Sequence, residues 1–338
     1  MQHRRLGRTG LKVSEICLGT MTFGRQCDEA TSRAIMDAAF EGGVAFFDSA
    51  DVYPTGGFLE MMGRSEEIIG RWLKGRRDKV VIATKCHGAT GTGQNDRGLS
   101  RAHIISAVEG SLRRLQTDHI DLYQAHSPDP ETPVEETLRA FDDLIRQGKV
   151  RYIGGSNHQA WHFGKSLLVS QKHGLARLDS AQIRYNILFR ENESEVLPFC
   201  RDQGLGVLVN NSLAAGVLTG KYTWDAPPPP GSRMEDLPKN TMPSEIFKAR
   251  YWHEDHIKAV DTLKAYFQSR GKEMAQVAIA WVLAQPGITS AIVGASSAAQ
   301  FKQSLGATAV QLEKEEMAAC NAIWPELPRL RHEMVARI

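Results

Sequence analysis

The sequence lacks the features that mark secreted, membrane-spanning or nucleic-acid-binding proteins. Its 338 residues include only five cysteines, which show neither a disulfide framework nor metal-ligand spacing, so we expect reduced thiols and no metal site. The formal net charge is +2, which predicts no binding to nucleic acid or to a membrane surface. The N-terminus has no apolar secretion signal, and the most apolar segment, around 274–287, is too short to span a bilayer. We therefore expect a soluble cytoplasmic protein.

Short apolar runs and amphipathic segments alternate along almost the whole chain. Runs that predict β-strands lie near 16–19, 44–47, 80–84, 120–125, 150–154, 179–183, 206–209 and 289–293. Eight strands alternating with helices predict a parallel sheet, and their number favours closure into a (β/α)8 TIM barrel. A doubly wound sheet is the alternative, but GTMTFG after the first strand lacks the glycine spacing of its phosphate-binding turn.

We predict a single domain over residues 1–338, with a barrel core at about 15–306 and a C-terminal extension at 307–338. Three segments depart from the repeat. Residues 2–15 resemble a hairpin that could plug the barrel floor, whereas 54–62 and the proline-rich 222–250 form long connections. Long loops in a compact domain are often functional, and we expect the last two to rise from the mouth of the barrel.

Local signals predict how three helices begin or end. Ser100 is expected to cap a helix at 101–115. Thr132 is expected to open the next helix through a capping box with Glu135, with Pro133 as the first helical residue. A helix near 29–41 runs into Gly42-Gly43, which suits a left-handed C-terminal cap.

Four polar residues follow three of the predicted strands. Asp48 and Tyr53 follow VAFFD, Lys85 ends VVIATK, and His126 ends IDLYQAH. Side chains beyond the strand C-termini of a barrel meet at one mouth, where the active sites of this fold lie. Lys85 would lower the pKa of the Tyr53 phenol, Asp48 would hold Lys85 charged, and His126 could hydrogen-bond a substrate oxygen. Together they predict proton transfer, of the kind that carbonyl reduction requires.

Each of these residues also has a structural interpretation. Asp48 alone could cap a turn, Tyr53 could be a packing residue with a satisfied hydroxyl, and His126 could be a hydrogen-bonded core histidine. Their convergence on neighbouring strands favours the catalytic interpretation.

The sequence resembles the aldo-keto reductases from about residue 4 to 325. The matching stretches are RRLGRTGLKVSEICLGTMTFG, FFDSADVY, ATK, GLSRAHIISAVEGSLRRLQTDHIDLYQAH, GKVRYIGGSN, AQIRYN, LTGKY and IVGASSAAQ. SSAAQ is most similar to the branch that includes bacterial reductases and potassium-channel β-subunits. The resemblance implies a (β/α)8 barrel, and it implies that Asp48, Tyr53, Lys85 and His126 form a catalytic tetrad with Tyr53 as general acid.

The resemblance also implies NADPH bound across the barrel mouth. It assigns the nicotinamide to Ser156, Asn157 and Gln182, and the ribose and pyrophosphate side to Gly19, Thr20 and Met21. It assigns a belt over the pyrophosphate to Leu213, Gly216, Lys221 and Arg233, and the adenosine end to Ser296, Gln300, Gln303 and Ser304. Without it, Ser156-Asn157 and Ser296-Ser297 would be interpreted as turn and helix-cap residues.

Two positions depart from the family pattern. Asn210 stands where many relatives place an aromatic residue against the nicotinamide, and an amide has no comparable π-face. Ser296 or Ser297 stands where many members place an arginine for the 2′-phosphate, although Lys302 could compensate. We therefore expect NADPH, with NADH as the alternative.

Three functions are consistent with these residues. The first is reduction of a small aldehyde or ketone with NAD(P)H, and the second is oxidation of a sugar or alcohol hydroxyl with NAD(P)+ by the same tetrad. The third is a cofactor-sensing regulatory subunit. The physiological substrate and the oligomeric state are not predicted.

Overall fold

A computed structural model describes residues 1–55, 58–236 and 242–328. The strands are β1 (His3–Arg5), β2 (Lys12–Ser14), β3 (Ile16–Gly19), β4 (Phe46–Asp48), β5 (Val81–Cys86), β6 (Ile120–Ala125), β7 (Val150–Ser156), β8 (Ser180–Arg184), β9 (Gly206–Asn210) and β10 (Ile288–Val293). Strands β3 to β10 form a closed barrel in chain order, with β10 returning to pair with β3 and every neighbouring pair parallel. The fold is a (β/α)8 barrel, which confirms the prediction.

Helices follow most of the strands, and several of them pack on the outward face of the barrel. The helices are α1 (Glu29–Glu41), α2 (Arg64–Leu73), α3 (Arg101–Leu115), α4 (Val134–Arg146), α5 (Ala160–His173), α6 (Val196–Gln203), α7 (Arg233–Asp236), α8 (Met242–Tyr251), α9 (Glu254–Gln268), α10 (Met274–Ala284), α11 (Ala298–Leu305) and α12 (Lys314–Glu326). None of the helices within the described ranges is both long and apolar enough to cross a membrane. The outward strand residues and the helices share one large apolar core.

The inward strand residues form a second, smaller core at the floor of the barrel. It contains Cys17, Phe46, Ala83, Leu122 and Leu208 from five strands, joined by Leu6 and Val13. The last two belong to the N-terminal hairpin, in which β1 pairs antiparallel with β2 as predicted.

The hairpin is held in place by hydrogen bonds to distant segments. The backbone N–H of Arg8 donates to the carbonyl of Gly204 at 2.9 Å, and Arg4 Nη1 donates to the carbonyls of Leu283 and Ile288 at 3.0 Å each. The hairpin therefore closes the end of the barrel opposite the strand C-termini.

The helix ends match the predictions with one exception. Ser100 Oγ accepts a hydrogen bond from the His103 N–H at the start of α3, and Gly43 has φ +82° after the end of α1. The capping box at Thr132 is wrong, because Thr132 Oγ1 donates to Asp129 Oδ2 at 2.7 Å and α4 starts at Val134. Pro133 is accordingly the N-cap residue and not the first residue of the helix.

Parts of the irregular segments lie outside the described residues. These parts are 56–57 in the predicted insert, 237–241 in the proline-rich excursion and 329–338 in the C-terminal extension. The described part of the excursion includes α7 and α8, and that of the extension includes α12.

Substitution of Gly70 tests the close packing of α2 on α3. A Cβ atom at this position would overlap the backbone oxygen of Arg114 and lie 2.8 Å from the backbone carbon of Leu115. Overpacking costs about 1–3 kcal/mol, whereas the higher helix propensity of alanine returns up to about 1 kcal/mol. We expect Gly70→Ala to lower the free energy of unfolding in urea by up to about 2 kcal/mol. Gly10→Ala, with no atom within 4 Å of its Cβ, is the control, and an equal effect of both would contradict the packing argument.

Candidate active site

The strand ends bring the four predicted catalytic residues to the mouth of the barrel. Asp48 ends β4, Lys85 is the penultimate residue of β5, His126 follows β6, and Tyr53 lies in the loop after β4. Asp48, Tyr53 and His126 line a cavity of 510 Å³. Lys85 is fully buried and interacts with Asp48 and Tyr53 through its ammonium group.

The centre of this site is a buried ion pair. Lys85 Nζ donates to Asp48 Oδ1 at 2.5 Å and to the backbone carbonyl of Ser49 at 2.6 Å. Burial alone would lower the pKa of Lys85, but the Asp48 carboxylate and the Tyr53 hydroxyl more than offset it and leave that pKa above its ordinary value. The ammonium is therefore charged throughout the neutral range.

Two buried amides hold the other carboxylate oxygen. Asp48 Oδ2 accepts from Gln182 Nε2 at 2.8 Å and from Gln124 Nε2 at 3.2 Å. Gln124 was missed in the sequence, although its place two residues before His126 in IDLYQAH puts it on the same inward face of β6. Gln182 was predicted to hold the nicotinamide, and the structure shows that it also fixes Asp48.

Tyr53 is a neutral phenol in this environment. Its ring meets the His126 ring edge to face with 5.8 Å between centroids, and Lys85 Nζ lies 5.0 Å from the centre of the Tyr53 ring. Burial raises the pKa of Tyr53, and Lys85 opposes this change without reversing it. Lys85 thus acts in the predicted direction, but the predicted net decrease is wrong because burial outweighs it. The phenol stays protonated and can donate to an oxygen that gains negative charge.

Two half-buried histidines near the mouth, His126 and His158, are also neutral. Burial lowers the pKa of His126 well below its ordinary value, and repulsion from Lys85 and His87 adds to this effect. His158 Nδ1 lies 2.7 Å from the carbonyl oxygen of Ser156, and burial lowers the pKa of His158 to about 4. A neutral His126 can share a hydrogen bond with a substrate oxygen without adding a charge.

Most residues predicted to bind the cofactor line the same cavity. They are Gly19, Thr20, Met21, Asp48, Ser156, Asn157, Gln182, Asn210, Leu213, Gly216, Lys221, Arg233, Ser296 and Gln300. Gln303 and Ser304 are not among the lining residues, and Gln303 Nε2 donates to Glu273 Oε2 at 2.6 Å. Lys302 Nζ lies 3.9 Å from Glu41 Oε2, so the cation that was expected to compensate for the missing arginine faces a carboxylate.

The cavity wall combines cations with an unsatisfied hydroxyl. Burial lowers the pKa of Lys221, and the nearby Arg233 lowers it further, so two positive side chains share one part of the wall. Arg233 also contacts Met21, with Nη2 3.6 Å from the sulfur. Ser156 Oγ is buried and has no hydrogen-bond partner among the described residues. The cavity can therefore hold an anionic ligand that also offers a hydrogen-bonding group near the barrel axis.

Comparison with known proteins finds matches over nearly the whole chain. The model of the "Aldo/keto reductase family" matches residues 15–325. "Uncharacterized oxidoreductase YrpG" of Bacillus subtilis is 40% identical over 332 residues, which cover 96% of each chain. "Aldo-keto reductase YhdN" of the same organism is 36% identical, covering 96% of this chain and 93% of the relative. A "Probable voltage-gated potassium channel subunit beta" of Oryza sativa is 37% identical, covering 91% of each chain.

The depressed pKa of His158 predicts a loss of stability in acid. The unfolded chain titrates this side chain near pH 6.5, so between about pH 6.5 and 4 it binds a proton that the folded state excludes. The free energy of unfolding should then fall as pH falls through this window, by at most about 1.4 kcal/mol per pH unit for this group. In urea unfolding at pH 7.5, 6.5 and 5.5, we expect His158→Gln to lose less stability than the wild type. Identical pH slopes for the two proteins would contradict a neutral, buried His158.

Proposed function

Because the chain belongs to the aldo/keto reductase family, we propose that it reduces an aldehyde or ketone with NADPH and that Tyr53 donates the proton. The observation that carries this proposal is the buried Asp48–Lys85 pair beneath a neutral Tyr53 at the cavity wall. Such an arrangement serves a reaction in which negative charge develops on an oxygen next to the phenol.

The residues present fit a nicotinamide dinucleotide. Ser156 Oγ is an unpartnered hydroxyl on the wall, and the Asn157 amide beside it donates to the His126 carbonyl at 2.9 Å. These groups would hold the nicotinamide amide, and Lys221 with Arg233 would face the pyrophosphate. When bound, the reduced nicotinamide supplies the hydride that reaches the carbonyl carbon.

The remaining chemistry belongs to the tetrad. As charge builds on the carbonyl oxygen, Tyr53 donates its hydroxyl proton and an alcohol is formed. The Lys85 ammonium stabilises the phenolate that this transfer leaves, while Asp48 keeps the ammonium charged and oriented. The neutral His126 hydrogen-bonds the substrate oxygen and orients the carbonyl. In the reverse reaction the same residues would catalyse the oxidation of an alcohol.

We propose NADPH over NADH because the family resemblance implies it, although Lys221 and Arg233 face a pyrophosphate that both cofactors carry and Ser296 and Gln300 offer only neutral groups at the adenosine end. A hydroxyl binds a 2′-phosphate less strongly than a bidentate arginine does. The preference should therefore be measurable but modest.

A regulatory role is the second candidate, because relatives from rice and Arabidopsis are named as channel β-subunits. Such a protein would bind the nicotinamide tightly without rapid turnover. The two functions are separated by mixing the NADPH-loaded protein with a panel of aldehydes and following the nicotinamide absorbance.

Removal of the Tyr53 hydroxyl tests the proposed acid. We expect Tyr53→Phe to lower kcat for aldehyde reduction by about 100-fold to 10,000-fold, because general acid catalysis contributes about that much. The dissociation constant for NADPH, measured by fluorescence titration, should change little in this variant. Tyr266→Phe removes a phenol that does not line the cavity and is the control. Full activity of Tyr53→Phe would refute the proposal.

Two buried serines test the proposed cofactor site. Ser156 Oγ and Ser180 Oγ both lack a hydrogen-bond partner among the described residues, but only Ser156 lines the cavity. A net hydrogen bond is worth about 0.5–1.5 kcal/mol, so we expect Ser156→Ala to raise the dissociation constants of NADPH and NADH by about 2-fold to 12-fold. Ser180→Ala should change neither constant. Equal effects of the two substitutions would show that Ser156 does not contact the cofactor.

A further inference from the structure

A second pair of cations stands beside the cavity, on residues to which the family resemblance gives no role. Arg250 lies near the C-terminal end of α8 and lines the cavity together with Tyr53 and His126. Arg184 ends β8 and is only 8% exposed, with its guanidinium carbon 3.4 Å from the centre of the Phe189 ring. Arg250 thus lines the cavity, whereas Arg184 does not but lies close enough for its charge to act on Arg250.

The two guanidinium groups are poorly compensated. Within the described residues neither forms an ion pair with a carboxylate, and Arg250 Nε is buried without a hydrogen-bond partner. For Arg184, the opposing influences are the nearby Tyr251 and the more distant charge of Glu191. Buried polar groups are nearly always paired, and an unpaired buried charge is costly.

The electrostatics point in the same direction. Burial lowers the pKa of Arg250 to about 10, and repulsion from Arg184 contributes to that decrease. Burial also lowers the pKa of Arg184. Both groups remain charged at neutral pH, so the free energy of this wall would fall if an anion occupied the cavity next to Arg250.

The surroundings of Arg250 restrict what the anion is attached to. Ile246 and Phe247, on the same helix, also line the cavity, so an apolar surface adjoins the guanidinium. Arg184 pairs with Asn210 where β8 and β9 end, and β8 lies opposite β4 in the closed barrel. Arg184 and the nearby Arg250 therefore lie on the side of the mouth away from Tyr53, which follows β4. A ligand that reaches both sides would carry its carbonyl at Tyr53 and its anionic group at Arg250.

We propose that Arg250, next to the second positive charge of Arg184, binds a carboxylate or phosphate group of the substrate, so that the protein prefers acidic aldehydes or ketones. This inference rests on the proposed reductase function, since it names the substrate class of the same site. Arginine is suited to this role because its planar donors match both anions.

The test compares two aldehydes that differ by one carboxylate. The values of kcat/KM for 4-carboxybenzaldehyde and for benzaldehyde are measured with NADPH in the wild type, Arg250→Gln, Arg250→Lys and Lys248→Gln. Lys248 is an exposed cation on the same helix and is the matched control. Binding of benzoate to the protein loaded with NADP+ is measured by calorimetry, and the dissociation constant of NADPH is measured for every variant.

We expect the ratio of the two kcat/KM values to favour the acidic aldehyde and to fall about 10-fold to 100-fold in Arg250→Gln, as the loss of a charged hydrogen bond implies. Arg250→Lys should give an intermediate ratio, and Lys248→Gln should stay within about 2-fold of the wild type, as expected for an exposed charge. Benzoate binding should weaken in Arg250→Gln by a similar factor.

Two results would overturn the inference. One is an unchanged ratio in Arg250→Gln, and the other is a loss confined to NADPH affinity, which would assign Arg250 to the cofactor phosphates. If Arg250→Gln fails to fold, the ratio in Arg250→Lys decides. If the wild type reduces neither aldehyde but binds benzoate, and Arg250→Gln loses this binding while Lys248→Gln keeps it, the proposed reductase function fails and the anion site stands.

Discussion

The structure of the site depends on one buried ion pair, between Lys85 and Asp48. A buried ammonium is costly unless it is paired and hydrogen-bonded, and here the Asp48 carboxylate pairs with it and the Ser49 carbonyl accepts a second hydrogen bond. The carboxylate in turn is fixed by Gln124 and Gln182, so four strands of the barrel contribute to holding a single charge. That charge lowers the pKa of the Tyr53 phenol and so opposes the larger effect of burial.

Burial and neighbouring charges together set the protonation of the residues in this cavity. Burial keeps Tyr53 protonated and His126 neutral, while the ion pair keeps Lys85 charged. The result is a neutral acid, Tyr53, next to the fixed cation of Lys85. Arg250 stays charged although its Nε has no hydrogen-bond partner among the described residues. Its position on the cavity wall therefore suggests that it binds a ligand.

Much of this could be predicted from the sequence, because the fold repeats one simple pattern. Eight apolar runs separated by amphipathic helices predicted the barrel, and the polar residues at the ends of VAFFD, VVIATK and IDLYQAH predicted the site. Contacts that depend on tertiary geometry were not predictable in this way. The net pKa change of Tyr53 depends on how deeply the ring is buried, and Thr132 bonds Asp129 instead of capping α4. The Arg184–Arg250 pair joins residues 66 positions apart, and no local pattern marks it.

The N-terminal hairpin has a consequence for how the chain reaches this structure. It precedes the barrel strands in the sequence, yet Arg4 hydrogen-bonds Leu283 and Ile288, and Arg8 bonds Gly204, so these partners are synthesised much later than the hairpin. The floor cluster around Leu6 and Val13 is therefore complete only after Leu208 has been synthesised, although Cys17 and Phe46 follow the hairpin closely. Contacts of such long sequence separation form slowly, and apolar segments that wait for them are open to aggregation. The hairpin that seals the floor thus reaches its final contacts only once β10 has been synthesised, so completion of the floor is tied to closure of the barrel.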